Sequence, residues 1–176
     1  MASDTRYRIL HALRTVLARG GASSVTLEAV AAEAGVSKGG LLYHFPTKEA
    51  LYEGVLLLEI EDITTAMSSV SPETGAARGY LEFSLPKNQF EADYITALIA
   101  AVRSDECLGT HASDLLTEVF NRWDAPLLES VADPVAAQTI RLVGLGLYLG
   151  AIAGLPIPDK DLMARVFDSL IEKIDA

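Results

Sequence analysis

The stretch Thr26–Tyr52, TLEAVAAEAGVSKGGLLYHFPTKEALY, contains two short apolar helical patterns that meet at a single glycine, Gly35. Thr26 suits the N-cap of the first, with Val25 before it and Val30 inside it spaced as a hydrophobic staple. Leu27, Val30, Ala31 and Ala34 then fall on one helical stripe. Gly35 is predicted to end that helix in the left-handed backbone that glycine adopts without steric penalty, and Val36 to turn the chain back toward the core. Ser37 is the next N-cap, Val36 and Leu41 form a second staple, and Pro46 ends the second helix near His44 by disfavouring helix at Phe45. A helix of about two turns is marginal alone and must be held by packing, which leaves its outer face available. This is the layout of a helix-turn-helix, in which the second helix enters a DNA groove.

Working outward, Asp4 to about Arg19 carries Ile9, Leu10, Leu13, Val16 and Leu17 on one face and stops at Gly20-Gly21. Downstream, a helix from Thr47 to about Val70 has Leu51, Val55, Leu58 and Ile63 as inward candidates and Ser71-Pro72 as its stop. Further helical segments are predicted near 73–85, 89–104, 110–123, 135–153 and 159–174. Pro86, Gly109, Pro126, Pro134, Pro156 and Pro158 punctuate them. With no β-type alternation of useful length, repeat or flexible linker, the pattern is all-α.

The 176 residues, 50% hydrophobic and 22% charged, are enough to bury a sizeable core and exclude a disordered chain. A single cysteine, Cys107, excludes an internal disulfide or a multi-cysteine zinc site and suits a reducing cytoplasm. The N-terminus lacks the apolar core of a signal peptide, and the longest uncharged apolar run, Leu142–Leu155, is 14 residues, short of the ~20 that span a bilayer. A cytoplasmic protein with no membrane partner is expected. The net charge of −10 is unevenly spread: residues 1–55 hold six cations and five anions, the remaining 121 hold eight and nineteen. A near-neutral head on an acidic body keeps general DNA affinity low, so binding would rely on correct placement at two half-sites.

The run AEAGVSKGGLLYHFPTKEAL resembles the N-terminal signature of the TetR family of bacterial transcriptional repressors, over roughly residues 6–55. The resemblance implies an all-α chain of about nine helices. A three-helix helix-turn-helix DNA-binding domain would occupy residues 1–50, and an effector-binding and dimerisation domain residues 51–176. Helix four, about 47–70, would link the two. It further implies a homodimer on a palindromic double-stranded DNA operator, released by a small-molecule effector, with no cofactor and no enzymatic activity.

Within that frame Lys38 sits in the first turn of the recognition helix, positioned for a guanine or a phosphate. Gly39 and Gly40 each destabilise a helix by ~1 kcal/mol relative to Ala, and are read as allowing close approach to bases or a thymine methyl. The family commonly has a hydroxyl or amide side chain at the position of Gly40. Tyr43 faces the groove or sugar-phosphate and His44 donates to a phosphate by resemblance; Leu42 stands where the family usually has tyrosine and is expected to pack. Lys48 in the first turn of helix four is unfavourable beside the helix dipole unless a phosphate lies there too. Thr26 and Ser37, at the starts of helices two and three, complete the DNA-binding set, and Arg6 and Arg8 are candidates for flanking backbone. Val30, Leu41, Phe45 and Leu51 are assigned to the mini-core.

In the body, Gly146, Gly150 and Gly154 recur every four residues, so one helix face would allow close approach of another helix. With Leu142, Leu145, Leu149 and Ile152 flanking it, and Leu162, Val166, Phe167, Leu170 and Ile174 on the final helix, this predicts a four-helix dimer interface. Leu142, Gly146, Leu149, Gly150, Gly154, Val166 and Leu170 are its candidates. Phe90, Asp93, Tyr94, Phe120, Trp123 and Tyr148 are candidate effector-lining residues, with Asp114, Glu118 and Asp124 as nearby acids; aromatic rings with acids suit a lipophilic cationic drug. The alternative is a small α-helical binding protein or enzyme using Cys107, His111 and Asp114, spaced i, i+4, i+7, as a metal, redox or nucleophile site. Gly109 is expected to interrupt that spacing.

Overall fold

The computed structural model describes residues 2–70, 75–104 and 108–172. Among them are nine α-helices and no strand: α1 (Ala2–Gly20), α2 (Leu27–Ala34), α3 (Lys38–His44), α4 (Lys48–Ser68), α5 (Ala76–Phe83), α6 (Gln89–Ser104), α7 (Gly109–Ser130), α8 (Pro134–Ile152) and α9 (Lys160–Glu172). A 3₁₀ turn, Ala22–Ser24, joins α1 to α2. The predicted Ser71-Pro72 stop, Cys107 and Ile174 lie outside the described residues. Two compact units emerge: one from the residues up to Glu61 with Asn88–Val119, the other from Asp62–Lys87 with the residues from Phe120 onward.

In the first unit, α1 buries Ile9, Leu10, Leu13 and Leu17 on its apolar face, as its periodicity predicts. Leu41, Phe45 and Leu51 are at most 1% exposed and Val30 is fully buried, so the short α3 is held through its inner side. Phe45 is seated on a glycine: a Cβ on Gly54 would lie 2.6 Å from the Phe45 ring and 3.1 Å from Leu10 Cδ2. Gly54→Ala is therefore expected to lower stability by about 1–3 kcal/mol, as overpacking does, in a chemical-denaturation curve. α6 packs on α1, and its Ala97, Leu98, Ala101 and Val102 are buried. Between these helices Arg14 Nη2 meets Glu59 Oε1 at 2.6 Å, and the Tyr94 hydroxyl donates to the same oxygen at 2.6 Å. The Arg14 guanidinium also lies 5.7 Å from the Tyr94 ring centre. Burial, and then the Glu59 carboxylate, push the Tyr94 hydroxyl well above its ordinary pKa, so it acts as a donor throughout the physiological range.

The core of the second unit is Met67, Tyr80, Leu81, Trp123, Leu127, Ile140, Met163 and Phe167. α5 and α8 approach closely at Gly144, where a Cβ would stand 2.4 Å from Tyr80 Cε1 and 2.5 Å from Ser84 Oγ. Asp124, 5% exposed, accepts from the Tyr80 hydroxyl at 3.1 Å and from Arg141 Nε at 2.6 Å, so its buried charge is matched. Arg78 of α5 pairs with Asp168 of α9. Two sequence expectations are corrected here. Pro126 does not end a helix: α7 continues through it to Ser130, because a proline forfeits one backbone hydrogen bond without forcing termination when the flanking turns are packed, as Trp123 and Leu127 are. Gly154 is not the third member of a helical glycine stripe. α8 ends at Ile152, and Gly154 has φ +69°, with its amide donating to Ala151 O and the Leu155 amide to Gly150 O, the paired bonds of a left-handed helix stop.

Candidate nucleic-acid interface

Each of the three helices that build the outer surface of the head starts on a hydroxyl. Thr26 Oγ1 accepts from the Ala29 amide at 3.0 Å, Ser37 Oγ from the Gly40 amide at 3.1 Å, and Thr47 Oγ1 from the Ala50 amide at 3.0 Å. Gly35 has φ +65°, and the Gly35 and Val36 amides bond back to Ala32 O and Ala31 O, so α2 ends in the predicted left-handed turn. Arg8 fixes that turn from α1 by donating to Ala34 O at 2.6 Å. A cation at a helix C-terminus also complements the backbone dipole. Arg8 is thus engaged within the fold, and the Arg6 guanidinium lies 4.9 Å from the Phe45 ring centre.

The outward side of α3 presents Lys38, Gly39 and Tyr43. Tyr43 is 83% exposed, and its ring meets the half-buried His44 edge-on at 5.1 Å. Leu42 and Gly40 are half-buried. A Cβ on Gly39 would meet nothing within 4 Å, whereas on Gly40 it would reach Ser37 Oγ at 3.3 Å. The Lys48 ammonium lies 5.8 Å from the Tyr52 ring centre. Lys38 is not simply solvated: its ammonium donates to Glu28 Oε1 of α2 at 2.5 Å. That hydrogen bond holds the Glu28 carboxyl below its ordinary pKa. Thr26, Ser37, Lys38, Gly39, Gly40, Tyr43, His44 and Lys48 all belong to the short contiguous path from the start of α2 to the start of α4.

The effector candidates divide. Phe120, Trp123 and Tyr148 come together in the second unit: Trp123 is 5.1 Å from Tyr148 and 6.1 Å from Phe120 between ring centres, and stacks on Tyr80 at 5.0 Å. The buried Trp123 indole N–H finds no acceptor among the described residues. Phe90, Asp93 and Tyr94 belong to the first unit, where Phe90 is exposed, Asp93 accepts from Gln89 Nε2 at 2.8 Å, and Tyr94 serves Glu59. On α8, Leu142 and Leu149 are 64% and 58% exposed, and Cβ positions on Gly146 and Gly150 would meet open space. Val166 of α9 is exposed, while Leu170 packs partly on its own core. His111 and Asp114 are exposed on α7, and no group of three or more His, Cys, Asp or Glu among the described residues could hold a metal ion.

Sequence reasoning missed the partners rather than the path. In the sequence Glu28 is one of the five anions of residues 1–55 and Arg8 a candidate for flanking backbone, and no local motif marks Gly54 or Gly144. A usable signal for the last existed: Gly144 continues the Ala137–Ile140 buried stripe of α8 at helical spacing.

Residues 9–55 match the family model described as bacterial regulatory proteins, tetR family, and residues 74–175 match that of the Tetracyclin repressor-like C-terminal domain. The chain belongs to the TetR family. It is accordingly a TetR-type transcriptional regulator, and the alternative enzyme reading has no support. Among relatives, this TetR-family chain is 24% identical over 141 residues to the nucleoid occlusion factor SlmA of Marinomonas sp. (strain MWYL1), covering 79% of this chain and 72% of that one. It is 37% identical over 60 residues to the HTH-type transcriptional regulator UidR of Escherichia coli (strain K12), a match spanning 34% of this chain and 31% of UidR. Among solved TetR-like folds, a transcriptional regulator from Saccharomonospora viridis in complex with choline superposes with a TM-score of 0.72 at 21% identity, covering 97% of this chain and 96% of that one. α8 is also, by length and composition, apolar enough to cross a membrane, although its uncharged run is shorter. In this TetR-family protein, however, Arg141 at its middle is paired to Asp124 and its inner side is packed at Ala137, Ile140 and Gly144.

Proposed function

We propose that the protein is a cytoplasmic repressor that binds a palindromic DNA operator as a homodimer and is released by a small-molecule effector. Residues 1–50 would form the reading head and residues 51–176 the part that dimerises and senses. The observation that carries the reading is the outer side of α3. It is a two-turn helix held from within by Leu41 and capped by Ser37, and it leaves Tyr43 83% exposed beside a helix start with open space around Gly39. In this reading Lys38 and the Gly39-Gly40 backbone approach base edges. Tyr43 and His44 contact sugar-phosphate, and Lys48 with the capped starts at Thr26 and Ser37 holds phosphates.

The apolar side of α8 at Leu142, Gly146, Leu149 and Gly150, with Val166 of α9, supports a twofold interface. Such an interface would set two reading helices about 34–36 Å apart. The Phe120–Trp123–Tyr148 cluster, with an indole N–H lacking an acceptor, supports effector binding in the second unit, and the choline complex of a fold neighbour is in keeping with a cationic ligand. Asp124 already holds Arg141, so a lipophilic cation would have to displace that guanidinium.

The test is a mobility shift on the chain's own upstream DNA across a salt series. Tyr43→Ala is expected to lower affinity at least tenfold and Lys48→Ala to lower it while flattening the salt slope by about 0.9 per head, with the melting temperature of both close to wild type. Unaltered binding by both variants would remove the assigned surface from consideration.

A further inference from the structure

The Lys38–Glu28 pair lies across the two helices that the operator-reading proposal sets on DNA. Lys38 is the first residue of α3 and Glu28 the second of α2, and their side chains are 53% and 64% exposed. The carboxylate therefore stands in solvent at the face of the head. It is anchored twice: by the Lys38 ammonium at 2.5 Å and by the positive end of α2, where an anion is favoured. DNA phosphates approaching the starts of α2 and α3 meet this negative charge. The Lys38 ammonium keeps two further donors, but its charge is already matched by the carboxylate, so a phosphate gains less from it than from a free lysine.

On backbone of arbitrary sequence a phosphate beside the ammonium also faces the Glu28 carboxylate, so the pair adds little net charge neutralisation. For a site in register, guanine O6 and N7 together give the ammonium a neutral pair of acceptors that no other base offers, with no second negative charge facing Glu28. We propose that Glu28 is a specificity-determining residue, withholding the Lys38 ammonium from DNA of arbitrary sequence and yielding it at the operator. This rests on the reading that α3 faces an operator. The charge distribution fits it. Residues 1–55 have a net charge of only +1, so the one carboxylate sets half of the charge the head would otherwise present.

The experiment uses the full chain and two labelled duplexes, one of random sequence and one that wild-type protein selects from a randomised pool, titrated by fluorescence anisotropy from low to moderate salt. Glu28→Gln is expected to tighten binding to the random duplex about tenfold per dimer and to steepen its salt slope by about 1.8, two phosphates at ~0.9 each. Binding to the selected duplex should tighten less, so the ratio between them narrows. Adding Lys38→Met to the Glu28→Gln chain should return the slope to its wild-type value. An unmoved slope in Glu28→Gln, an equal gain on both duplexes, or a slope indifferent to Lys38→Met would each overturn the role of Glu28 while leaving operator binding intact. If wild-type protein selects no duplex at all, the operator reading falls and the role of Glu28 with it.

Discussion

Replacing Leu142 and Leu149 together by glutamate is expected to yield a folded monomer that no longer binds operator. The two side chains are 64% and 58% exposed on the same side of α8, seven residues apart, with the open glycines Gly146 and Gly150 between and beside them. Burying such a leucine fully contributes about 1.5–3 kcal/mol, and a twofold interface counts each substitution twice. Four carboxylates in a dry helix–helix contact would repel and lack partners. With the second head gone, the effective-concentration gain of a two-headed ligand disappears, a loss of about 10²–10⁴ in affinity. Sedimentation equilibrium and a mobility shift on the same samples test both parts. A dimer that survives both glutamates would place the interface elsewhere.

The second large effect is one of opposite signs. Gly39→Ala is expected to stabilise the free protein by up to about 1 kcal/mol, since its Cβ meets nothing within 4 Å and alanine is the better helix former. On DNA the same methyl would stand where the helix backbone approaches a base edge. Loss of one good contact is about 1–3 kcal/mol per head, so the dimer should weaken by about 30-fold to 10⁴-fold. Melting temperature and operator affinity measured together separate close approach from mere tolerance of glycine. If the two rise together, the bare helix start has no reading role.

The helix-turn-helix was legible because every signal for it is local. Thr26, Ser37 and Thr47 cap helices whose first turns follow them directly, and Gly35 ends α2 through bonds to residues three and five positions back. The division of labour among charged side chains was not. Arg8 reaches Ala34, Lys38 reaches Glu28 and Arg14 reaches Glu59, over separations that no periodicity encodes. A four-residue glycine repeat drew attention to Gly146, Gly150 and Gly154, yet the glycine against which a neighbouring helix presses is Gly144, and Gly154 ends the helix. Spacing tells which residues share a face; it does not tell which face meets a neighbour in the same chain. Of the six effector candidates only Phe120, Trp123 and Tyr148 share a cluster, because aromatic residues at helical spacing on different helices need a tertiary fold to choose among them.

The Arg14–Glu59–Tyr94 contact bears on how this protein could be recombined with its relatives. A reading head transplanted with a junction at the beginning of α4 would carry Arg14 and leave Glu59 and Tyr94 behind. The half-buried guanidinium would then lose its carboxylate, a defect of about 3–5 kcal/mol. The smallest transferable piece is therefore not contiguous in sequence: it is α1 to Glu59 of α4 together with the α6 segment around Tyr94, and chimeras that respect this boundary should fold where shorter grafts do not.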